Sequence, residues 1–165
     1  MTARSFIEAH LGSRQVARVL YGSIIGLALV VALQGHPPAS GMVAASLLAT
    51  AVAVGLAELY SEYVGAETRT HRRVGREQLA EIYGEVGAVA LGIAFPAVFF
   101  LLAAVGLISR DSAFTIAKWS GLGLITAYGF AAARLTGAGM LRSIYRASMA
   151  AVIAGFLIAI KSLLH

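Results

Sequence analysis

The stretch Ala57–Ala88, AELYSEYVGAETRTHRRVGREQLAEIYGEVGA, lies between two long apolar runs. It holds six of the chain's eight acidic residues, Glu58, Glu62, Glu67, Glu77, Glu81 and Glu85. Four arginines, Arg69, Arg72, Arg73 and Arg76, lie among them. Glu58 and Glu62 are four apart, so on a helix they share a face with Cβ atoms about 5–6 Å from each other. Glu77, Glu81 and Glu85 repeat that interval, and Gly75 marks the break before a second helix begins near Arg76. A hairpin turning near Val74 sets Glu62 level with Glu85, Glu67 with Glu81, and His71 with Glu77. At about 100° per residue, Glu58 and Glu62 line up with Arg69 and Arg73, while Glu67 and His71 are turned roughly 140° away.

The surroundings of this hairpin decide the fold class. The chain has 165 residues, 59% hydrophobic and 13% charged, with a mean hydropathy of +0.81. A soluble domain carries about 25% charged residues, so the charge here is half of what water would require. The reading is an all-α integral membrane protein in a single transmembrane domain. Residues 1–14 form an interfacial segment, and five transmembrane helices cover about 16–33, 42–64, 86–108, 114–133 and 147–164. Helices 2 and 3 extend beyond the bilayer as the acidic and basic hairpin. Ten arginines in the N-terminal segment, this hairpin and the Arg134–Arg146 connector face Arg110, Lys118 and Lys161 on the other side. That imbalance places the N-terminus inside and the C-terminus outside, in a multi-pass protein of the cell inner (plasma) membrane. No cleavable signal is expected, since Glu8 and His10 precede the first apolar run.

The same distribution excludes several functions. The basic residues are spread over loops rather than gathered on one face, which argues against a nucleic-acid partner. The absence of cysteine removes disulfides, thiolate metal sites and thiol nucleophiles. Serines and threonines lack a His–Asp partner set, so no enzyme is expected. Within the spans, Arg18 is expected to snorkel at the inner edge. Gly22 and Gly26 make a small-xxx-small pair and a candidate dimer face. Pro96 should kink the third span, Lys118 and Trp119 make an interfacial pair, and His36 reads as a solvated loop residue. Five spans do not divide into two inverted halves, so a symmetric pore would need a second copy of the chain.

Two readings of the carboxylates stand side by side. In one, the glutamates pair with Arg69, Arg72, Arg73 and Arg76 across a solvated hairpin, each pair contributing about 0–1 kcal/mol. In the other, Glu58, Glu62, Glu81 and Glu85 form a metal site at the inner mouth. A carboxylate at membrane depth costs about 2.5–3.5 kcal/mol and marks a pathway or a partner. All-oxygen ligation suits divalent ions such as Mn²⁺, Mg²⁺, Ca²⁺ or Fe²⁺, and clustered carboxylates can exchange protons for a cation.

Ser61-Glu62-Tyr63-Val64-Gly65 resembles the Gly-Glu-Tyr-Val-Ser signature of the vacuolar iron transporter family. Glu77-Gln78-Leu79-Ala80-Glu81-Ile82-Tyr83 is similar to the helix that opens that family's cytoplasmic metal-binding insertion. Arg134-Leu135-Thr136-Gly137, with Leu141-Arg142-Ser143 and Arg146, resembles its connector into the last helix. The resemblance implies a homodimer that exports or sequesters Fe²⁺ or Mn²⁺ in exchange for protons, along a path between subunits lined by the first and second helices. Glu62 takes the place of the signature glutamate. The chain departs from the family in three places. Tyr21 to Gly26 carries no acidic residue where the family has an aspartate, Glu58 stands in place of a methionine, and most of the cytoplasmic insertion is missing. The alternative is a non-transporting membrane scaffold or partner subunit whose acidic hairpin binds another protein.

Overall fold

The structure, a computed structural model, describes residues 14–135 together with Val152 and Phe156. The interfacial segment up to residue 13, the basic connector beyond residue 135 and, apart from Val152 and Phe156, the expected last span at 147–164 lie outside the described residues. Within them the chain is all-helical, with five helices and no strand. These are α1 (Arg14–Gln34), α2 (Ser40–Thr70), α3 (Arg76–Ala94), α4 (Ala97–Ala104) and α5 (Arg110–Leu135). Two of them, α1 from Val16 and α2, are long and apolar enough to cross a membrane. A third span is present if α3 and α4 count as one bent helix. These apolar helices, with the composition, suggest a membrane protein.

The helix ends follow from local chemistry. α1 stops before Pro37 and Pro38, and α2 starts after Ala39. Along α2, Ser46 and Thr50 donate their hydroxyls back to the carbonyls of Met42 and Ser46, at 2.8 and 2.7 Å, which satisfies them without water. α2 ends where His71 turns into the left-handed region at φ 51°, and α3 starts after Gly75 as its N-cap. Pro96 has no N–H to give, so α3 ends at Ala94 and the chain resumes as α4 at an angle of 45°. α4 closes in a Schellman turn, with the Leu107 N–H donating to Leu102 O at 3.0 Å and Gly106 at φ 79°. Ser109 then caps α5, its Oγ accepting the Ser112 N–H at 3.1 Å, with Asp111 in the first turn.

α1 is the central element, packed most extensively on α3 and next on α5, while α2 lies against α3 and α4. The largest core cluster joins Val30, Val43, Leu47, Ala97, Phe100 and Phe114. There the Phe100 and Phe114 rings meet edge to face with centroids 4.8 Å apart. Arg110 closes this end by donating to Pro37 O at 3.3 Å. At the other end the bundle is held by charge rather than by aromatic packing.

The crossing of α1 on α3 corrects the expectation for Gly22 and Gly26. Both glycines are buried and face α3 of the same chain. A Cβ on Gly22 would lie 2.1 Å from Val89 O, and one on Gly26 would lie 3.0 Å from Ile93 O. Gly92 answers from α3, where a Cβ would meet Ser23 N and Val19 O, each at 2.7 Å. The pair therefore brings two backbones of one chain together, by the same close approach that would have served a dimer. Beside the crossing, the buried Ser23 Oγ has no hydrogen-bond partner among the described residues.

Candidate functional site

Three helices deliver charge to one level of the bundle. Arg18 comes from the first turns of α1, Glu58 and Glu62 from α2 one turn apart, and Glu85 from α3. The spacing that puts Glu58 and Glu62 on one face turns both toward α1. The α2–α3 hairpin brings Glu85 to the height of Glu62. All three carboxylates converge on the guanidinium of Arg18. Its Nη1 donates to Glu58 Oε2 at 2.7 Å, and its Nη2 donates to Glu62 Oε1 and, at 3.0 Å, to Glu85 Oε2. Its Nε reaches the same Glu85 oxygen at 3.2 Å.

The cluster is shielded unevenly. The Glu85 side chain is 8% exposed, against 20% for Glu58, 26% for Glu62 and 24% for Arg18. Charge-assisted bonds are the strong ones, and a planar guanidinium with several N–H groups can serve several carboxylates at once. Arg69, on the same helix as Glu62, comes within 3.7 Å of Glu62 Oε2, but its side chain is 68% exposed, so that pair contributes little.

The arrangement differs from both expectations. Glu58, Glu62, Glu81 and Glu85 were expected around an ion, and three of them gather around an arginine. Glu81 is exposed and makes no ion pair among the described residues. No group of three His, Cys, Asp or Glu side chains among the described residues is disposed to hold a metal. Cross-hairpin ion pairs with Arg72, Arg73 and Arg76 are also not observed among the described residues: Glu58, Glu62 and Glu85 turn inward to Arg18, while Glu77 and Glu81 are exposed. Arg18 was expected to snorkel to water. It turns into the bundle because oxygen acceptors stand within reach at its own depth. Glu67 accepts the Tyr63 hydroxyl at 3.1 Å, and His71 serves as the exposed cap of α2 rather than as a partner of Glu77.

Arg18 is the residue of this cluster whose pairing sequence reasoning missed, though a signal existed. Arg18, Glu85 and the Glu58–Glu62 pair each stand at one end of an apolar run, and the helix order puts those ends at the same end of the bundle. Matching depth across helices therefore points to the pairing, whereas proximity along the chain does not. An open groove of about 220 Å³ runs nearby between Val16 and Val19 of α1, Gly84, Ala88 and Leu91 of α3, and Tyr128 of α5. No carboxylate lines it. The outer face of α2 carries a second feature: Ala45, Ala49, Ala53, Ala57 and Ser61 recur every fourth residue and are all exposed.

Comparison with known proteins gives no match to a family model, to a curated protein or to a solved structure.

Proposed function

We propose that the chain is a non-transporting membrane scaffold or partner subunit. In this reading Arg18 locks the base of the α2–α3 hairpin to α1, and the water-facing end of the hairpin is offered to another protein. The carrying observation is that one guanidinium engages Glu58, Glu62 and Glu85 together. Carboxylates at the edge of an apolar bundle need a neutralising charge, and here the chain supplies it from its own first helix. Five spans with the N-terminus inside, in the inner membrane, remain part of the proposal. A homodimer would use the small-residue face of α2, because Gly22 and Gly26 are occupied within the chain.

The test is ion flux into vesicles reconstituted with the purified protein. The reading expects Mn²⁺ and Fe²⁺ to enter no faster than into empty vesicles, and Glu62→Gln to leave the metal tolerance of cells unchanged. Flux that Glu62→Gln abolishes would overturn it.

The second reading is proton-coupled transport of Fe²⁺ or Mn²⁺, favoured by the meeting of Glu58, Glu62 and Glu85 at one point. The ion would have to displace Arg18, with Glu81 collecting it at the exposed mouth. Arg18→Gln would then raise the metal retained by the purified protein, and Glu58→Ala would release it.

A further inference from the structure

The turn of the α2–α3 hairpin carries Arg69, Arg72, Arg73 and Arg76 with His71, all exposed. Only Arg69 has a carboxylate within 4.0 Å among the described residues, and that contact is long. Arg72, Arg73 and Arg76 therefore face water with no carboxylate within 4.0 Å among the described residues, and Arg69 with only a long contact to Glu62. Gly75 caps α3 without a side chain, and Glu77 in the first turn faces the positive end of the helix.

Distance from the bilayer decides among anionic ligands. With the second span ending at Val64, as the sequence leads one to expect, the helix continues to Thr70 for about 9 Å at 1.5 Å per residue. One headgroup layer accounts for about 5–8 Å of that. On that placement the turn at Arg72 and Arg73 lies just beyond the headgroups of its own membrane. A long nucleic acid would lie along the flanking helices, where Glu67, Glu77 and Glu81 repel it. A short acidic segment meets the turn alone.

We propose that this turn is a docking surface for an acidic segment of another protein. The inference rests on the scaffold reading and names the chemistry of the partner. The electrostatics are those of an interface rim, which govern association rate and salt dependence more than packing.

The full-length protein in nanodiscs of neutral phosphatidylcholine would be titrated with a fluorescent glutamate-rich peptide, followed by anisotropy. Binding should weaken as salt rises and fall roughly tenfold or more, about 1.4 kcal/mol for each factor of ten, in the double variant Arg72→Glu, Arg73→Glu. Both positions are exposed, and an unchanged helical circular dichroism spectrum confirms that the variant is folded. Equal binding by wild type and variant overturns the proposal. So does loss of peptide binding in nanodiscs containing phosphatidylglycerol, which assigns the turn to lipid, or preference for an oligonucleotide of equal charge. These outcomes are independent of ion flux, so the docking surface and the scaffold reading fail separately.

Discussion

Replacing Arg18 by glutamine is the most informative perturbation of the bundle. The change removes a charge that three carboxylates share, and glutamine is too short and has too few donors to serve all of them. Glu85, at 8% side-chain exposure, is left as a nearly buried carboxylate without its Arg18 bonds. Breaking a buried pair costs about 3–5 kcal/mol. Glu58 and Glu62 are a fifth to a quarter exposed, so water replaces much of what they lose and each adds at most about 1 kcal/mol. Contributions that share one partner do not sum, and about 3 kcal/mol is the expected net loss. For a chain of this length that corresponds to a fall of roughly 6–12 °C in the unfolding midpoint, read by circular dichroism in detergent. Adding Glu85→Gln to Arg18→Gln should recover part of the loss, because it removes the worst-placed charge. A midpoint within about 2 °C of wild type would refute the clamp and imply that the carboxylates are satisfied without Arg18.

Further outcomes follow from the packing. Gly22→Ala should destabilise by about 2–3 kcal/mol, because the new methyl group would overlap Val89 O; an unchanged unfolding midpoint would contradict the α1–α3 crossing. Ser23→Ala should be neutral or stabilising by up to about 1 kcal/mol, since Ser23 Oγ has no partner among the described residues; clear destabilisation would reveal one. Ser109→Ala should cost about 1 kcal/mol through the lost cap of α5, measurable by the same unfolding experiment. Pro96→Ala should restore the missing N–H and reduce the 45° bend between α3 and α4, read as a change in distance between spin labels on the two helices.

Much of the local architecture was legible because it depends on residues close in sequence. Gly75 does mark the start of α3, Pro96 does divide the third apolar run, and Glu62 and Glu85 do meet across the hairpin. What could not be read is long-range. Gly22 and Gly26 specify close approach, yet they do not say to which helix. Arg18 at the edge of an apolar run looks the same whether it faces lipid headgroups or three carboxylates. Its partners lie 40, 44 and 67 positions away, and only the packing of α1 against α3 makes them neighbours. α5, expected as the fourth span, is not among the described helices that are long and apolar enough by composition to cross a membrane, and Lys118 lies within it.

The order in which the chain is synthesised gives the Arg18 cluster a temporal meaning. Arg18 leaves the ribosome 67 residues before Glu85, and the glycine face of α1 is likewise without its α3 counterpart during that interval. In the proposed membrane-scaffold reading, the first helix would enter the translocation machinery without the carboxylates of Glu58, Glu62 and Glu85 and without Gly92 against its glycines. It gains its lasting neighbours only once the hairpin has folded back. Retention of early intermediates at the insertion channel should thus lengthen when Glu58, Glu62 and Glu85 are all removed, because nothing later in assembly then draws Arg18 out of it.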